Sequence, residues 1–268
     1  MKKSKIRLDK LLVENKLCES RQKAQALIMA GNVLVNGQKV FKPSTLVEKN
    51  SKIELVENLK YVSRGGLKLE GAFQNWNIDV KDKICLDVGA STGGFTDCLL
   101  KFGASLVFAI DVGKNQLHYS LRNNPKVFFI EEFNVKYILN KDYIENFLKE
   151  KPKYKNSLKK LLEYKGKIDF LVMDVSFISV RKLLDKVLKF LKKEGEFLIL
   201  VKPQFELSYN IVSRYKGIIK DENLQKEAIK KVKNYLESLG FVKIFDISKS
   251  KIKGQDGNQE YFLWGKIK

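Results

Sequence analysis

The chain of 268 residues is poor in the residues that build metal and redox sites, with one histidine, three cysteines and four prolines. The lone His118 excludes a multi-histidine metal centre, and it reads as a surface residue or one at a ligand's edge. Cys18, Cys85 and Cys98 lie far apart, form no CxxC and are odd in number, so neither a zinc site nor a disulfide framework is expected. Cysteines used in this way fit a reducing cytosol and a cytoplasmic protein. No apolar run reaches the roughly 18 residues of a membrane-spanning helix. The start, MKKSKIRLDK, has the basic residues of a signal peptide but lacks the apolar stretch that should follow.

Acid is scarce as well. Lys and Arg number 51 against 31 Asp and Glu, a net charge of +20. Such a field concentrates polyanions near the surface. Nucleic acid is the commonest partner of so basic a protein, because each neutralised phosphate releases a counterion. A generally lysine-rich composition would produce the same total. What is plentiful is core: hydrophobic residues make up 44% and aromatics 11%, enough for one large domain or two smaller ones.

Two textures divide the chain. Ile6-Arg7-Leu8-Asp9-Lys10-Leu11-Leu12 predicts a short helix with Ile6, Leu8, Leu11 and Leu12 inward. Ser20 is a good N-cap for a second helix, with Ala24, Leu27 and Ile28 at i, i+3 and i+4 and Gly31 just past its end. Val33–Val40 predicts a hairpin closed by Asn36-Gly37, and Lys52–Val56 alternates as a further strand. Residues 1–60 hold thirteen Lys and Arg against six Asp and Glu, a local charge of +7. Arg21 and Lys23 lie off the apolar stripe, where they can face a phosphate backbone, although a solvated helix face would look the same.

This order of elements carries Arg7-Leu8-Asp9, Leu12, Ser20-Arg21, Ala24, Ile28, Gly31, Val33, Val35-Asn36-Gly37 and Pro43-Ser44. It resembles the small α+β RNA-binding domain shared with ribosomal protein S4, pseudouridine synthases and tyrosyl-tRNA synthetases. The resemblance covers about fifty residues, from Arg7 to Leu55, and the domain is read as residues 1–58. It implies that Arg7, Lys10, Arg21, Lys23 and the hairpin residues Asn36 to Lys39 contact structured RNA, with Arg64 beyond them.

Residues 59–66, LKYVSRGG, read as a connection to a second domain over 67–268. There the expected strands are Ile84–Val88, Leu106–Asp111, Val127–Glu131, Phe170–Asp174 and Phe197–Val201, with helices such as Gly93–Phe102 and Val180–Leu191 between them. Such alternation predicts an α/β fold, a Rossmann-like parallel sheet with helices on both faces. Asn223–Leu239 is an amphipathic helix, and Phe241–Ile247 and Glu260–Ile267 are consecutive strands. These fit the reversed hairpin edge of a class I methyltransferase sheet. Residues 140–167 hold nine lysines against four acids and read better as a solvated helix pair than as an RNA-facing insertion.

The segment Ile84–Thr96 runs from a buried strand through small residues into a helix. Glycine is required where backbone comes close to a ligand or where φ is positive. The spacing G-x-x-x-G-G differs from the G-x-G-x-x-G of a dinucleotide site, and Asp87 just before it would repel a pyrophosphate. An acid there suits a cationic amino acid and sulfonium, as in S-adenosylmethionine. The candidate cofactor residues are therefore Asp87, Gly89, Ala90, Ser91, Thr92, Gly93, Gly94 and Phe95. Asp111, at the end of the next strand, is the candidate for ribose hydroxyls, and Glu131 or Asn134 for the adenine. Any one of these features alone would also fit a glycine-rich turn without a ligand.

Asp174, in LVMDVSFIS, and Lys202, in ILVKPQFE, follow strands whose carboxyl ends should open on one crevice. A lysine behind Ile199-Leu200-Val201 is costly to desolvate, which should lower its pKa toward that of a usable base. A structural ion pair with Asp174 is the alternative.

YVSRGGLKL, LDVGASTGGFTDCLL, AIDVGKNQLH, DVSFIS, VKPQFE and GNQEYF follow the S4-like domain in that order. Together they resemble the TlyA family, ribosomal RNA 2′-O-ribose methyltransferases of the FtsJ-like class often labelled hemolysin A. The resemblance implies S-adenosylmethionine as cofactor and cytidines of large-subunit ribosomal RNA as acceptors, with small-subunit RNA as a further one. It also implies a monomer that uses neither metal nor membrane. The family's tetrad falls on Lys68, Asp174, Lys202 and Glu260: Lys202 activates the 2′-hydroxyl, Asp174 holds its ammonium, and Lys68 with Glu260 completes the frame. This chain departs in Glu131-Glu132-Phe133-Asn134, where many members carry Glu-Arg-Thr-Asn, in Gln259-Glu260-Tyr261 for Val-Glu-Phe, and in a longer 140–167 stretch. A membrane-lytic protein and an inactive RNA-binding assembly factor are the competing functions. The missing apolar segments oppose the first and the retained tetrad opposes the second.

Overall fold

The expected first helix divides at Leu8: Lys5–Arg7 is a strand, β1, and only Leu8–Glu14 is helical, α1. Then follow α2 (Arg21–Met29), β2 (Val33–Val35), β3 (Gln38–Lys39), β4 (Leu46–Glu48) and β5 (Ile53–Leu55). The structure, a computed structural model, describes residues 5–29, 31–55, 60–254 and 256–268, and it divides into two units, 1–60 and 61–268. Val56, the end of one expected strand, and the side chain of Lys39 lie outside the described residues.

In the first unit β1 pairs antiparallel with β4, while β2 pairs with β3 and β5. Asn36 (φ 52°) and Gly37 (φ 80°) close the β2–β3 hairpin with both central residues at positive φ, as a type I′ turn requires. Leu8, Leu11 and Leu12 of α1 and Ala24 and Ile28 of α2 form the core with Val33 and Val47.

The second unit begins with α3, Arg64–Trp76, which starts inside the stretch read as a connection; Tyr61 just before it is buried. Next come β6 (Ile84–Val88), α4 (Gly94–Lys101), β7 (Leu106–Ile110), α5 (Tyr119–Arg122) and β8 (Val127–Ile130). The lysine-rich stretch forms α6 (Lys141–Glu150) and α7 (Lys155–Glu163), burying Phe147, Leu158 and Leu161 and leaving most lysines in solvent. After these lie β9 (Ile168–Met173), α8 (Arg181–Val187), β10 (Leu191–Val201), α9 (Pro203–Glu206), α10 (Tyr209–Arg214), α11 (Glu222–Ser238), β11 (Val242–Lys249) and β12 (Tyr261–Ile267).

Seven strands form one sheet in the order β11-β12-β10-β9-β6-β7-β8. The five from β10 to β8 are parallel, and β12 runs antiparallel between β10 and β11. Alternate strand residues enter two cores: Leu86, Leu171 and Ile199 on one face, Cys85, Phe170 and Leu198 on the other. Burial on both faces explains the continuous apolar runs in the sequence. The chain enters the sheet at β6, moves outward to β7 and β8, then returns to β9 on the other side of β6. At such a reversal the loops beyond the strand ends diverge and leave a crevice for a ligand.

Candidate active site

The turn after β6 is built by contact between protein segments. Gly89 has φ +86°, and a Cβ there would lie 2.3 Å from the carbonyl oxygen of Asp174. At Gly94 a Cβ would meet the Ser63 hydroxyl at 2.2 Å and the Gly66 nitrogen at 2.8 Å. These glycines let the β6 turn press against the end of β9 and let α4 abut the start of α3. Contact between protein segments already requires glycine at these two positions, and Gly89 in addition lines the cavity beyond the strand ends.

Asp87 is fully buried, and its Oδ2 accepts the Thr96 hydroxyl at 2.7 Å while Oδ1 has no hydrogen-bond partner. Burial pushes its carboxyl up to about 7, against the Thr96 bonds and with help from the charges of Asp174 and Asp111.

Beyond the strand ends lies a cavity of about 460 Å³. Of the residues proposed from sequence for the cofactor, Gly89, Ser91, Asp111 and Asn134 line it. Asp87, Ala90, Thr92, Gly93, Gly94, Phe95 and Glu131 do not. Asp111 accepts Ser91 N–H at 2.8 Å on Oδ2 and Gly113 N–H at 2.6 Å on Oδ1, which aims its carboxylate across the turn. Glu131 turns inward instead. It accepts the N–H groups of Asn115, Gln116 and Leu117 at 2.8–3.0 Å and pairs with Arg122 at 2.5 Å. Burial would raise its carboxyl, but Arg122 and these N–H groups outweigh burial and hold it below the usual range. Glu131 thus ties down the loop after β7, and Phe133, Asn134 and Val135 reach the cavity in its place.

The four residues of the proposed tetrad form two pairs. Lys202 Nζ lies 2.7 Å from Asp174 Oδ1 as an ion pair without hydrogen-bond alignment, and it donates a 2.7 Å hydrogen bond to Ser176 Oγ. Lys68 Nζ donates to Glu260 Oε2 at 2.5 Å. Burial raises the Glu260 carboxyl, Lys68 opposes this, and the charges of Asp174 and Lys202 are near enough to act on it. Asp174 and Ser176 both line the cavity, so Lys202 stands at its edge.

Three contributors escaped sequence reasoning. Ser176 is the hydrogen-bond partner of Lys202. Phe177 lines the cavity, is 91% exposed and has φ +65°, a conformation that is costly for a bulky residue. It packs on Phe205 with ring centroids 5.4 Å apart. Glu206 accepts Ser179 Oγ, Val180 N–H and Arg181 Nε at 2.6–2.9 Å, joining the loop after β9 to the one after β10. An exposed aromatic within DVSFIS was the only available signal.

Among the expected RNA contacts, Arg7 and Arg21 both bond to Asp9, Lys23 pairs with Glu19 at 3.2 Å, and Lys10 is exposed. Asn36 Oδ1 accepts the Lys52 N–H at 2.9 Å, a bond internal to the sheet. Arg64 is exposed and donates to the Lys253 carbonyl at 3.2 Å. His118 caps α5 through its ring. No described helix is long and apolar enough to cross a membrane, and no described group of three or more His, Cys, Asp or Glu could hold a metal.

A sheet with one reversed strand next to its edge, a crevice at its reversal point and acids on successive strand ends define a Rossmann-type methyltransferase. The chain belongs to the FtsJ-like methyltransferase family, whose pattern matches residues 61–267, and an S4 domain matches residues 6–53. It is 44% identical to hemolysin A of Brachyspira hyodysenteriae, covering 96% of this chain and 98% of that one. It is 35% identical to the 16S/23S rRNA (cytidine-2′-O)-methyltransferase TlyA of Mycobacterium tuberculosis, covering 96% and 88%. A solved structure described as a hemolysin from Streptococcus thermophilus superposes with a TM-score of 0.67 at 34% identity, covering 99% of this chain and 89% of that one.

Proposed function

We propose that the protein transfers a methyl group from S-adenosylmethionine to the ribose 2′-hydroxyl of cytidines in ribosomal RNA, in the large subunit and, as a second target, the small. The observation that carries this reading is that the Lys202–Asp174 pair, at the edge of a nucleoside-sized cavity, lies near enough to the Lys68–Glu260 pair for its charges to act on Glu260. The mycobacterial relative bears that activity in its name. We assign RNA capture to residues 1–58 and the chemistry to residues 67–268, in a monomer acting in the cytoplasm.

The cavity suits the cofactor. Its volume lies within the range of cofactor sites, and Val112, Phe133 and Val135 offer apolar surface for an adenine, with Asn134 beside them. Each Asp111 oxygen accepts one N–H and keeps a lone pair for a ribose hydroxyl. Asp174 gives the cavity wall a carboxylate toward a cationic end group, with one of its oxygens paired to Lys202. When bound, S-adenosylmethionine supplies a methyl group on a positive sulfur, open to in-line displacement.

The protein's share is positioning and removal of a proton. Lys202, as the neutral amine left once its ammonium has given a proton to solvent, takes the proton of the 2′-hydroxyl as that oxygen attacks. Asp174 and Ser176 hold the resulting ammonium. Lys68 and Glu260 neutralise each other beside it, so neither adds a stray charge. Phe177 offers an exposed ring on which the acceptor base can stack.

Incubating the protein with methyl-labelled S-adenosylmethionine and ribosomal subunits should label RNA at ribose 2′-oxygens of cytidine. Label on a base, or none on either subunit, would overturn the reading.

A further inference from the structure

Residues 131–134, which follow β8, meet the lysine-rich stretch one by one. Glu131 accepts the Tyr154 hydroxyl at 3.3 Å. Glu132 pairs with Lys151 at 2.8 Å. Phe133 is fully buried and edge-on to Tyr143 and Phe147, with ring centroids 5.3 and 4.9 Å away. Asn134 donates its backbone N–H to the Tyr143 hydroxyl at 3.0 Å. A solvated helix pair needs only its apolar face, Phe147, Leu158 and Leu161, to pack. Contacts to four successive residues of one loop, three of them polar, call for a further reason.

We propose that Tyr143, Lys151 and Tyr154 are positioning residues for the cofactor: through residues 131–134 they hold the adenine side of the cavity in its binding shape. The proposal rests on the reading that the cavity takes S-adenosylmethionine, and it gives residues 140–167 a part in binding it. Phe133, Asn134 and Val135 are the part of the loop that reaches the cavity. On its other side the same loop is bonded to the turn that carries Asp111. Glu132 N–H reaches the Gly113 carbonyl at 2.9 Å, and Phe133 N–H reaches the Asp111 carbonyl at 3.0 Å. The wall for the base and the acid for the ribose are thus one hydrogen-bonded unit, with the lysine-rich stretch behind it.

The loop needs holding. Glu132 has φ +59°, a conformation that residues other than glycine adopt at a cost. Such strain persists only where the surroundings over-determine it. Here an ion pair, a buried ring and the two backbone hydrogen bonds do so. Behind Phe133 the rings of Phe147 and Tyr154 stack, 5.9 Å apart at 16°, so a stiff aromatic layer backs the wall. Burial, followed by the charge of Glu131, pushes the Tyr154 hydroxyl up to about 12, so it remains a donor. A wall fixed before the ligand arrives lowers the ordering cost of binding.

The test uses the full chain and isothermal titration with S-adenosylmethionine, beside thermal melting. Tyr143→Phe removes the acceptor of the Asn134 N–H while keeping the ring, and Lys151→Met removes the ion pair. Each should weaken cofactor binding by about fivefold, the size of one lost hydrogen bond. Lys151→Arg keeps the pair and should bind like wild type. Adenosine, measured by competition, should weaken by the same factor, since the wall meets only that half of the cofactor. Binding of ribosomal RNA in a filter assay should stay at the wild-type level. Tyr143→Phe deletes a single oxygen, so it decides the matter if Lys151→Met does not fold. Wild-type cofactor affinity in the folded variants, whatever their melting temperatures, would overturn the proposal and leave these contacts as scaffold. Weakened RNA binding with unchanged cofactor affinity would overturn it in favour of an RNA-facing surface. If the wild-type protein itself binds no S-adenosylmethionine, the cofactor reading fails and the proposal falls with it.

Discussion

Lys68 and Glu260, separated by 192 positions in the chain, meet at 2.5 Å with their side chains 11% and 3% exposed. One comes from α3 and the other precedes β12, so the contact exists only once the reversed edge of the sheet has formed. Removing one partner strands a charge in low dielectric. Glu260→Ala should cost about 3–5 kcal/mol and abolish methyl transfer. The double variant Lys68→Met/Glu260→Leu should regain most of the stability without the activity. Thermal melting and transfer assays on both variants check this; equal melting temperatures for wild type and Glu260→Ala would refute it.

Lys202→Ala should remove the proton acceptor and reduce transfer by at least about a hundredfold. Binding of S-adenosylmethionine and of RNA should stay close to wild type, because Lys202 stands at the cavity edge and contacts Asp174 and Ser176. Single-turnover transfer beside equilibrium binding measures both. Undiminished transfer would remove Lys202 from the reaction.

Asp87 predicts a pH effect. Its folded-state pKa of about 7 lies above the ordinary 3.8, so between these values the folded protein holds a proton that the unfolded chain has released. Its contribution to stability therefore falls as pH rises through that window and levels off above 7. Asp87→Asn should lack this slope. The melting temperature of the variant relative to wild type should increase from pH 5 to pH 8. Parallel curves would show that Asp87 does not titrate there.

Phe177 holds a positive φ that costs a bulky residue about 1–3 kcal/mol. Phe177→Gly should keep or raise the melting temperature while raising the KM for RNA about tenfold, the size of a lost stacking contact. An unaltered KM would leave the exposed ring without a part in acceptor binding.

Much of the fold was legible. Strands β6, β7 and β9 show as apolar runs because both of their faces are buried, and Asn36-Gly37 announced its hairpin because few residue pairs tolerate two positive φ angles. β1 and β4 did not show, since three residues are too few for an alternating pattern. The start of α3 was hidden by Ser63-Arg64-Gly65-Gly66, whose glycines disfavour a helix locally but admit the close packing of Gly66 on Gly94. Of the site, the strand-end acids Asp111 and Asp174 were readable from their place after apolar runs. Glu131 was misread, because nothing local tells a carboxylate that faces a ligand from one that accepts three backbone N–H groups.

The sequence by itself determined the class of fold, the basic N-terminal unit, and the residue types available for a methyl transfer without metal ligands. Those properties follow from local pattern, composition and spacing. Tertiary structure alone decided that Lys68 bonds directly to Glu260, that Asp87 is buried outside the cavity lining, and that Phe177 is turned out against Phe205. Each depends on the order in which strands lie side by side and on the direction the backbone takes at a turn. Both are settled by packing over the whole sheet, which no short stretch of chain records.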